Sequence, residues 1–167
     1  MPPIISIVGK PKSGKTTLIE RLIAELKKRG YQVATIKHSV HPLDFDKPGK
    51  DSWRHIKAGS GATAVVSPGE LILIDKQARQ PDLNEIERLF GSGFDIILTE
   101  GFKQGRSPKV QVHRRTAGPL LNDLDNLIAI ATDEPVETPV KQFSIDDITG
   151  LADLLENEYI KPNRRLK

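Results

Sequence analysis

The sequence contains no cysteine. Disulfides and thiolate metal sites are therefore excluded, and an oxidising compartment has no support. Aromatic residues are scarce, with five Phe, two Tyr and one Trp against 25 Lys and Arg. Nucleic-acid binders interleave basic surface with stacking platforms, and few platforms exist here. The net charge is only +3, and basic residues cluster solely at Lys27-Lys28-Arg29 and in the tail from Asn163 to Lys167. The first cluster falls where a helix should end, a position the helix dipole favours. The tail reads as a solvated, frayed terminus. No nucleic-acid partner is expected. No apolar run approaches the roughly 20 residues that span a bilayer, so no membrane role is expected either. Met1-Pro2-Pro3 leads straight into an apolar run and leaves no room for a signal peptide. A cytoplasmic protein is the expectation.

What is present is the balance of an ordinary globular chain. It has 167 residues, 37 % hydrophobic and 28 % charged, enough for one domain (1–167) around a single core. Its most informative stretch is Ile4-Ile5-Ser6-Ile7-Val8-Gly9-Lys10-Pro11-Lys12-Ser13-Gly14-Lys15-Thr16-Thr17. This is an apolar run, a loop bounded by Gly9 and Gly14, and a helix start, with the spacing G-x-x-x-x-G-K-T. A loop of that length turns consecutive backbone N–H groups inward around a phosphate. The following helix adds its unpaired N–H groups and positive dipole end. Lys15 would reach the β- and γ-phosphates, and the Thr16 hydroxyl would join the shell of a Mg²⁺ ion.

Leu18, Ile19, Leu22, Ile23 and Leu26 continue at helical spacing, with Gly30 as the terminating residue. A strand at 32–37 then completes a right-handed βαβ unit, which implies a parallel sheet. A polar loop from His38 to Asp51 precedes a short helix at 52–58, capped by Asp51 or Ser52. Residues 62–66 and 71–74 flank Ser67-Pro68-Gly69-Glu70 and read as a hairpin. A helix marked by Leu83, Ile86, Leu89 and Phe90 follows. Strands are expected at 95–99, 110–113 and 127–131, with an edge strand at 140–143. A last helix carries Ile148, Leu151, Leu154 and Leu155, with Asp146 or Ser144 near its start. The fold class is α/β: a mainly parallel sheet flanked by helices in three layers, P-loop NTPase-like, with an added β-hairpin.

Three further features carry chemistry. A nucleoside triphosphate site needs a second carboxylate for its magnesium at the carboxyl end of a neighbouring strand. Glu100 fits, because an apolar strand leads directly to it and Gly101 lets the chain turn away. Asp95 begins the same strand and should face the opposite edge. The loop from His38 to Asp51 emerges at the ligand-binding edge with two histidines, three aspartates and two lysines. Asp44, Asp46 or Asp51 would suit magnesium contact or activation of a hydrolytic water. His38 and His41 lack a third ligand and make a poor zinc site. Asp133 follows the strand at 127–131, where a carboxylate can accept from the N1 and N2 hydrogens of guanine.

Together these residues resemble a known family. Gly9 to Thr17 is one part of the match. Ile36-Lys37-His38 leads to a second, Asp44-Phe45-Asp46-Lys47-Pro48-Gly49-Lys50-Asp51-Ser52 with Arg54-His55 and Ala58-Gly59. Thr99-Glu100-Gly101-Phe102-Lys103 is the third. In this order, from residue 4 to about 133, they are similar to the molybdopterin-guanine dinucleotide biosynthesis protein B family, MobB. The resemblance implies GTP and Mg²⁺ binding, slow hydrolysis, and a homodimer that helps a MobA-like guanylyltransferase attach GMP to molybdopterin. It assigns Gly9, Lys10, Pro11, Lys12, Ser13, Gly14, Lys15, Thr16 and Thr17 to the nucleotide, with Thr16 and Glu100 at the metal. It places Asp44, Asp46, Lys50 and Asp51 in the family's characteristic loop. Lys10 stands where related dimeric proteins carry a lysine that reaches the partner's phosphates, although Pro11 replaces a common glycine. No arginine occupies an obvious finger position in cis, so Arg54, Arg114 or a partner's lysine would have to act in trans. Two other readings share the fold: a small-molecule kinase or ATP-dependent ligase with the His38–Asp51 loop as acceptor site, and a binding adapter without turnover.

Overall fold

The structure is a computed structural model that describes residues 1–39, 41, 46–76 and 79–164. The chain packs as two compact units, one formed by residues 1–38 with the chain from 87 onward, the other by 39–86. In the first unit, β1 (Ile4–Gly9), β2 (Val33–Lys37), β5 (Ile96–Glu100), β6 (Lys109–His113), β7 (Leu127–Thr132) and β8 (Lys141–Ser144) form one sheet. Its order is β2-β5-β1-β6-β7-β8 and every pairing is parallel. β1 therefore sits centrally, and the loop that leaves it emerges among the carboxyl ends of its neighbours.

Alternation along the strands sends Ile5, Ile7, Ile96, Leu98, Val110, Val112, Ala129 and Ala131 to one side, into the main core. Helix α1 (Lys15–Lys28) meets them with Leu18, Ile19, Leu22 and Leu26, and α4 (Ile148–Leu155) with Leu151 and Leu155. Leu22 and Leu26 are fully buried, and each such side chain contributes about 1.5–3 kcal/mol. α1 ends as its apolar spacing indicates: Tyr31 N–H donates to the Leu26 carbonyl and Gly30 N–H to that of Lys27. The opposite sheet face is more polar, with a buried chain in which Thr99 Oγ1 donates to Ser6 Oγ at 3.0 Å and Ser6 meets Ser107 at 2.7 Å.

The second unit holds α2 (Asp51–Lys57) and the antiparallel hairpin of β3 (Ala62–Ser67) and β4 (Glu70–Asp75). The hairpin has the expected register, with Val66 opposite Leu71 and Val65 opposite Ile72. α3 (Leu83–Phe90) follows it.

Two local expectations, the cap of α2 and the start of the tail, are corrected, and the start of α4 is made specific. The N-cap of α2 is Lys50, and neither Asp51 nor Ser52 caps it. Ser52 Oγ instead donates to Asp46 Oδ1 at 2.9 Å. α4 is capped by Asp147, whose Oδ1 accepts from Gly150 N–H, because Asp146 is held by Arg21 at 2.7 Å. The start of the basic tail is ordered: a π-helical turn (Glu156–Ile160) runs into α5 (Lys161–Arg164), where Arg164 bonds Asp95 at 2.8 Å and lies over the Tyr31 ring.

The end of α1 is fastened to this C-terminal segment by a charged network. Arg29 meets Glu25 at 2.8 Å, Asp153 at 2.6 Å and Glu156 at 2.7 Å, while Glu156 also accepts from Tyr31 and Lys161. Arg29 first, then Lys161 and Tyr31, hold the Glu156 carboxyl at about 2, below its ordinary 4.5 and against the effect of burial. A carboxyl lowered on folding stabilises the protein above its unfolded value, and this stability is lost as pH falls from 4.5 towards about 2. The full effect is at most about 3 kcal/mol. Urea midpoints should fall through that window, and the Glu156→Gln variant should show a shallower fall; identical profiles would exclude this network as the source.

Candidate functional site

β1 stops at Gly9, and residues 10–14 carry the chain over the carboxyl edge of the sheet into α1. The loop closes on itself, with Ser13 N–H donating to the Lys10 carbonyl at 3.3 Å. Two of its residues are left-handed, Lys12 at φ 63° and Gly14 at φ 96°. Such alternation of backbone hand turns successive N–H groups to one side and forms an anion-binding concavity. Gly9 is required by close approach: a Cβ there would stand 2.5 Å from the Val112 carbonyl oxygen and 2.6 Å from Ser13 Oγ. Pro11 and Lys12 are exposed, whereas Ser13 is buried and its hydroxyl has no hydrogen-bond partner among the described residues. A buried, unsatisfied hydroxyl inside a concave loop is what a bound phosphate would satisfy.

Lys15 lies back across this loop, its Nζ donating to the carbonyls of Lys10 at 2.8 Å and Gly9 at 3.3 Å. Its ammonium is lowered from the ordinary lysine value, first by burial and further by Lys103 and Lys37, with Glu100 acting the other way. A ligand phosphate would offset both the cost of burial and the repulsion. At the second residue of the helix, Thr16 Oγ1 donates to Glu100 Oε1 at 3.0 Å. Glu100 ends β5 directly beside β1, so the parallel pairing brings a hydroxyl and a carboxylate from positions 84 apart to one point. Two oxygen ligands of this kind, with the remaining positions left to water and phosphate, fit the magnesium habit. Among the described residues no cluster of three or more His, Asp or Glu could hold a metal by itself.

The other candidates are placed differently. Asp133 follows β7; its Oδ1 accepts from Arg115 N–H at 2.9 Å and its Oδ2 lies 3.9 Å from Arg114. Lys10 Nζ lies 3.4 Å from where a Cβ on Gly118 would stand. Asp51 opens α2 in the 39–86 unit and faces Arg54 at 3.6 Å. Asp46, in the same unit, keeps one carboxylate oxygen on Ser52. Asp44 lies outside the described residues. His38 packs its ring 5.0 Å from that of Phe102.

Two groups at the edge were not assigned a place beside the loop from sequence. Lys37 is the register partner of Glu100 and its Nζ lies 3.9 Å from that carboxylate. Both are last residues of strands, but β5 lies between β1 and β2 in the sheet, and that insertion is not legible in the sequence. Arg114, considered above only for action in trans, sits in cis against Gly14: its Nε is 3.3 Å from where a Cβ on that glycine would stand. Nothing in the spacing of residue 114 from residue 14 announces this contact.

A central parallel strand, a closed Gly-x-x-x-x-Gly-Lys-Thr loop and a facing strand-end carboxylate define a P-loop NTPase-like α/β protein. Within that class, the chain belongs to the MobB family, Molybdopterin guanine dinucleotide synthesis protein B, whose family model matches residues 4–133. It is 37 % identical over 157 residues to a molybdopterin-guanine dinucleotide biosynthesis adapter protein of Haemophilus influenzae, covering 93 % of this chain and 88 % of that one. The corresponding Escherichia coli adapter protein is 36 % identical, with 98 % and 97 % covered. In three dimensions the chain is similar to Bacillus subtilis MobB, with a TM-score of 0.74, 31 % identity, and 94 % and 98 % covered. That likeness bears out the expected architecture, including the hairpin as a separate two-stranded sheet.

Proposed function

We propose that this protein is a GTP-binding adapter in molybdopterin-guanine dinucleotide biosynthesis, with slow Mg²⁺-dependent GTP hydrolysis. The observation that carries this reading is the meeting of Thr16 with Glu100 at 3.0 Å, beside a closed loop whose lysine spans it. The loop from Gly9 to Thr17 would hold the phosphates through its N–H groups, Ser13 and Lys15. Thr16 and Glu100 would hold Mg²⁺, which supplies charge neutralisation on the phosphate oxygens. Asp133 is the candidate for the donor edge of guanine. Asp44 and Asp51 are the candidates for orienting water. Turnover is slow in this reading because the cations around Lys15 and Glu100 are lysines, point charges without the planar fork of a guanidinium.

The Haemophilus and Escherichia relatives are named as adapter proteins, which supports the adapter role here. By that route the partners would be a MobA-like guanylyltransferase and molybdopterin, in the cytoplasm. Among the described residues no helix is long and apolar enough to cross a membrane. The protein would act as a homodimer. The hairpin supports this, because Val66 and Leu71 are 75 % and 68 % exposed on a ribbon with free edges.

Thermal denaturation with GTP, ATP and GDP, with and without Mg²⁺, tests the nucleotide. Ligand at one hundred times Kd adds about 2.7 kcal/mol, or roughly 5–10 °C for a chain of this size. GTP with Mg²⁺ should give that shift and EDTA should reduce it. A larger shift with ATP would favour the kinase or ligase reading, and no shift with GTP would sink the proposal.

A further inference from the structure

Arg114 has no settled structural use. Its guanidinium makes no hydrogen bond among the described residues, and its nearest carboxylate, on Asp133, is 3.9 Å away with the arginine side chain 40 % exposed. Yet it is not loose in solvent. Its Nε and Nη2 stand 3.3 and 3.8 Å from the point where a Cβ on Gly14 would be, and Ile145 closes the same spot at 3.8 Å. An arginine packed on the helix-starting glycine of a phosphate loop is a charge held ready at the loop's edge.

Which part of a ligand it meets follows from the order of the strands. Glu100 ends β5 on one side of β1, while Arg114 follows β6 on the other. The metal pair Thr16–Glu100 therefore marks the outer-phosphate end, and Arg114 stands on the far flank, towards β7 and β8. Alternation fixes its face as well. Arg114 is extended, at φ −128° and ψ 136°, so it points opposite to His113 and Arg115. Those two line a separate cavity of about 470 Å³ with Leu120, Glu134 and Val136. Arg114 instead projects to the α1 side, where a nucleotide leaving the loop must pass.

We infer that Arg114 grips the nucleoside end of the bound nucleotide, through its α-phosphate and ribose, and so distinguishes a nucleotide from inorganic pyrophosphate, which fills only the β and γ positions. This rests on the GTP reading above and gives that site a second anchor. A guanidinium suits the position because its fork donates two parallel bonds to phosphate oxygens.

Calorimetric titration of wild type and Arg114→Ala with GTP, GDP and inorganic pyrophosphate in Mg²⁺ separates the possibilities. One lost charge-assisted contact should weaken GTP and GDP about tenfold or more and change pyrophosphate by less than about twofold. Pyrophosphate needs the folded loop, so it also reports that the variant is intact. Unchanged GTP affinity, or an equal loss for pyrophosphate, overturns the role of Arg114 while leaving the GTP site standing. A wild-type protein that binds no GTP overturns both.

Discussion

The Lys15→Ala variant should bind GTP at least about a hundredfold more weakly than wild type, since the lost ammonium makes charge-assisted bonds of roughly 1.5–3 kcal/mol each and two phosphates share it. The expectation follows from how Lys15 is held without ligand. Its Nζ is spent on the carbonyls of Gly9 and Lys10, the two residues that open the loop. It is also crowded by Lys37 and Lys103, with Glu100 as the opposing charge. A phosphate entering the concavity exchanges weak carbonyl contacts for a full negative charge and relieves that crowding. The free variant should lose about 1–3 kcal/mol, because two backbone contacts are worth about 0.5–1.5 kcal/mol each. Its own melting temperature should therefore fall by roughly 2–10 °C, while the further increment that GTP with Mg²⁺ gives over the same protein without ligand disappears. An increment that survives the substitution would place the phosphate site elsewhere in the molecule.

The second large effect is expected at the hairpin. Val65, Val66, Leu71, Ile72 and Leu73 are each at least 42 % exposed, and Val66 stands directly opposite Leu71. Two isolated strands are marginal in water, and an uncovered apolar ribbon invites another chain. A second copy presents the same ribbon, which makes the contact self-complementary about a twofold axis. Val66→Asp with Leu71→Asp sets like charges across from one another on this surface. Sedimentation or light scattering should show the wild type as a dimer and the double variant as a folded monomer, with dimer affinity lowered about a hundredfold or more, given roughly 1.5–3 kcal/mol per apolar side chain returned to water. A wild type that is monomeric, or a double variant that still dimerises, would remove the hairpin from the interface.

Much of this molecule is readable from local pattern. The period of Leu18, Ile19, Leu22, Ile23 and Leu26 specifies α1, and the apolar run before Glu100 specifies a buried strand. Both signals are strong because burial on one stripe or on both faces leaves little freedom in composition. Helix caps were less legible. At the starts of α2 and α4 several Ser and Asp residues compete, and the choice was made by other partners: Asp46, six residues earlier, for Ser52, and the distant Arg21 for Asp146. The same holds for Arg164 at the start of the tail, which local composition marks as frayed but which Asp95 and Tyr31 hold in place.

The sequence by itself determined the Gly9–Thr17 loop and the strand-end carboxylate. Gly14, Lys15, Thr16 and Glu100 are each legible from local chemistry: a left-handed turn, a cation, a hydroxyl, and a carboxylate at a strand end. Tertiary structure decided which charges share that edge. Lys37 reached Glu100 through parallel register, and Arg114 reached Gly14 through its place one strand beyond β1. Sheet neighbours are set by long-range packing of many strands at once, and no window of consecutive residues contains that information.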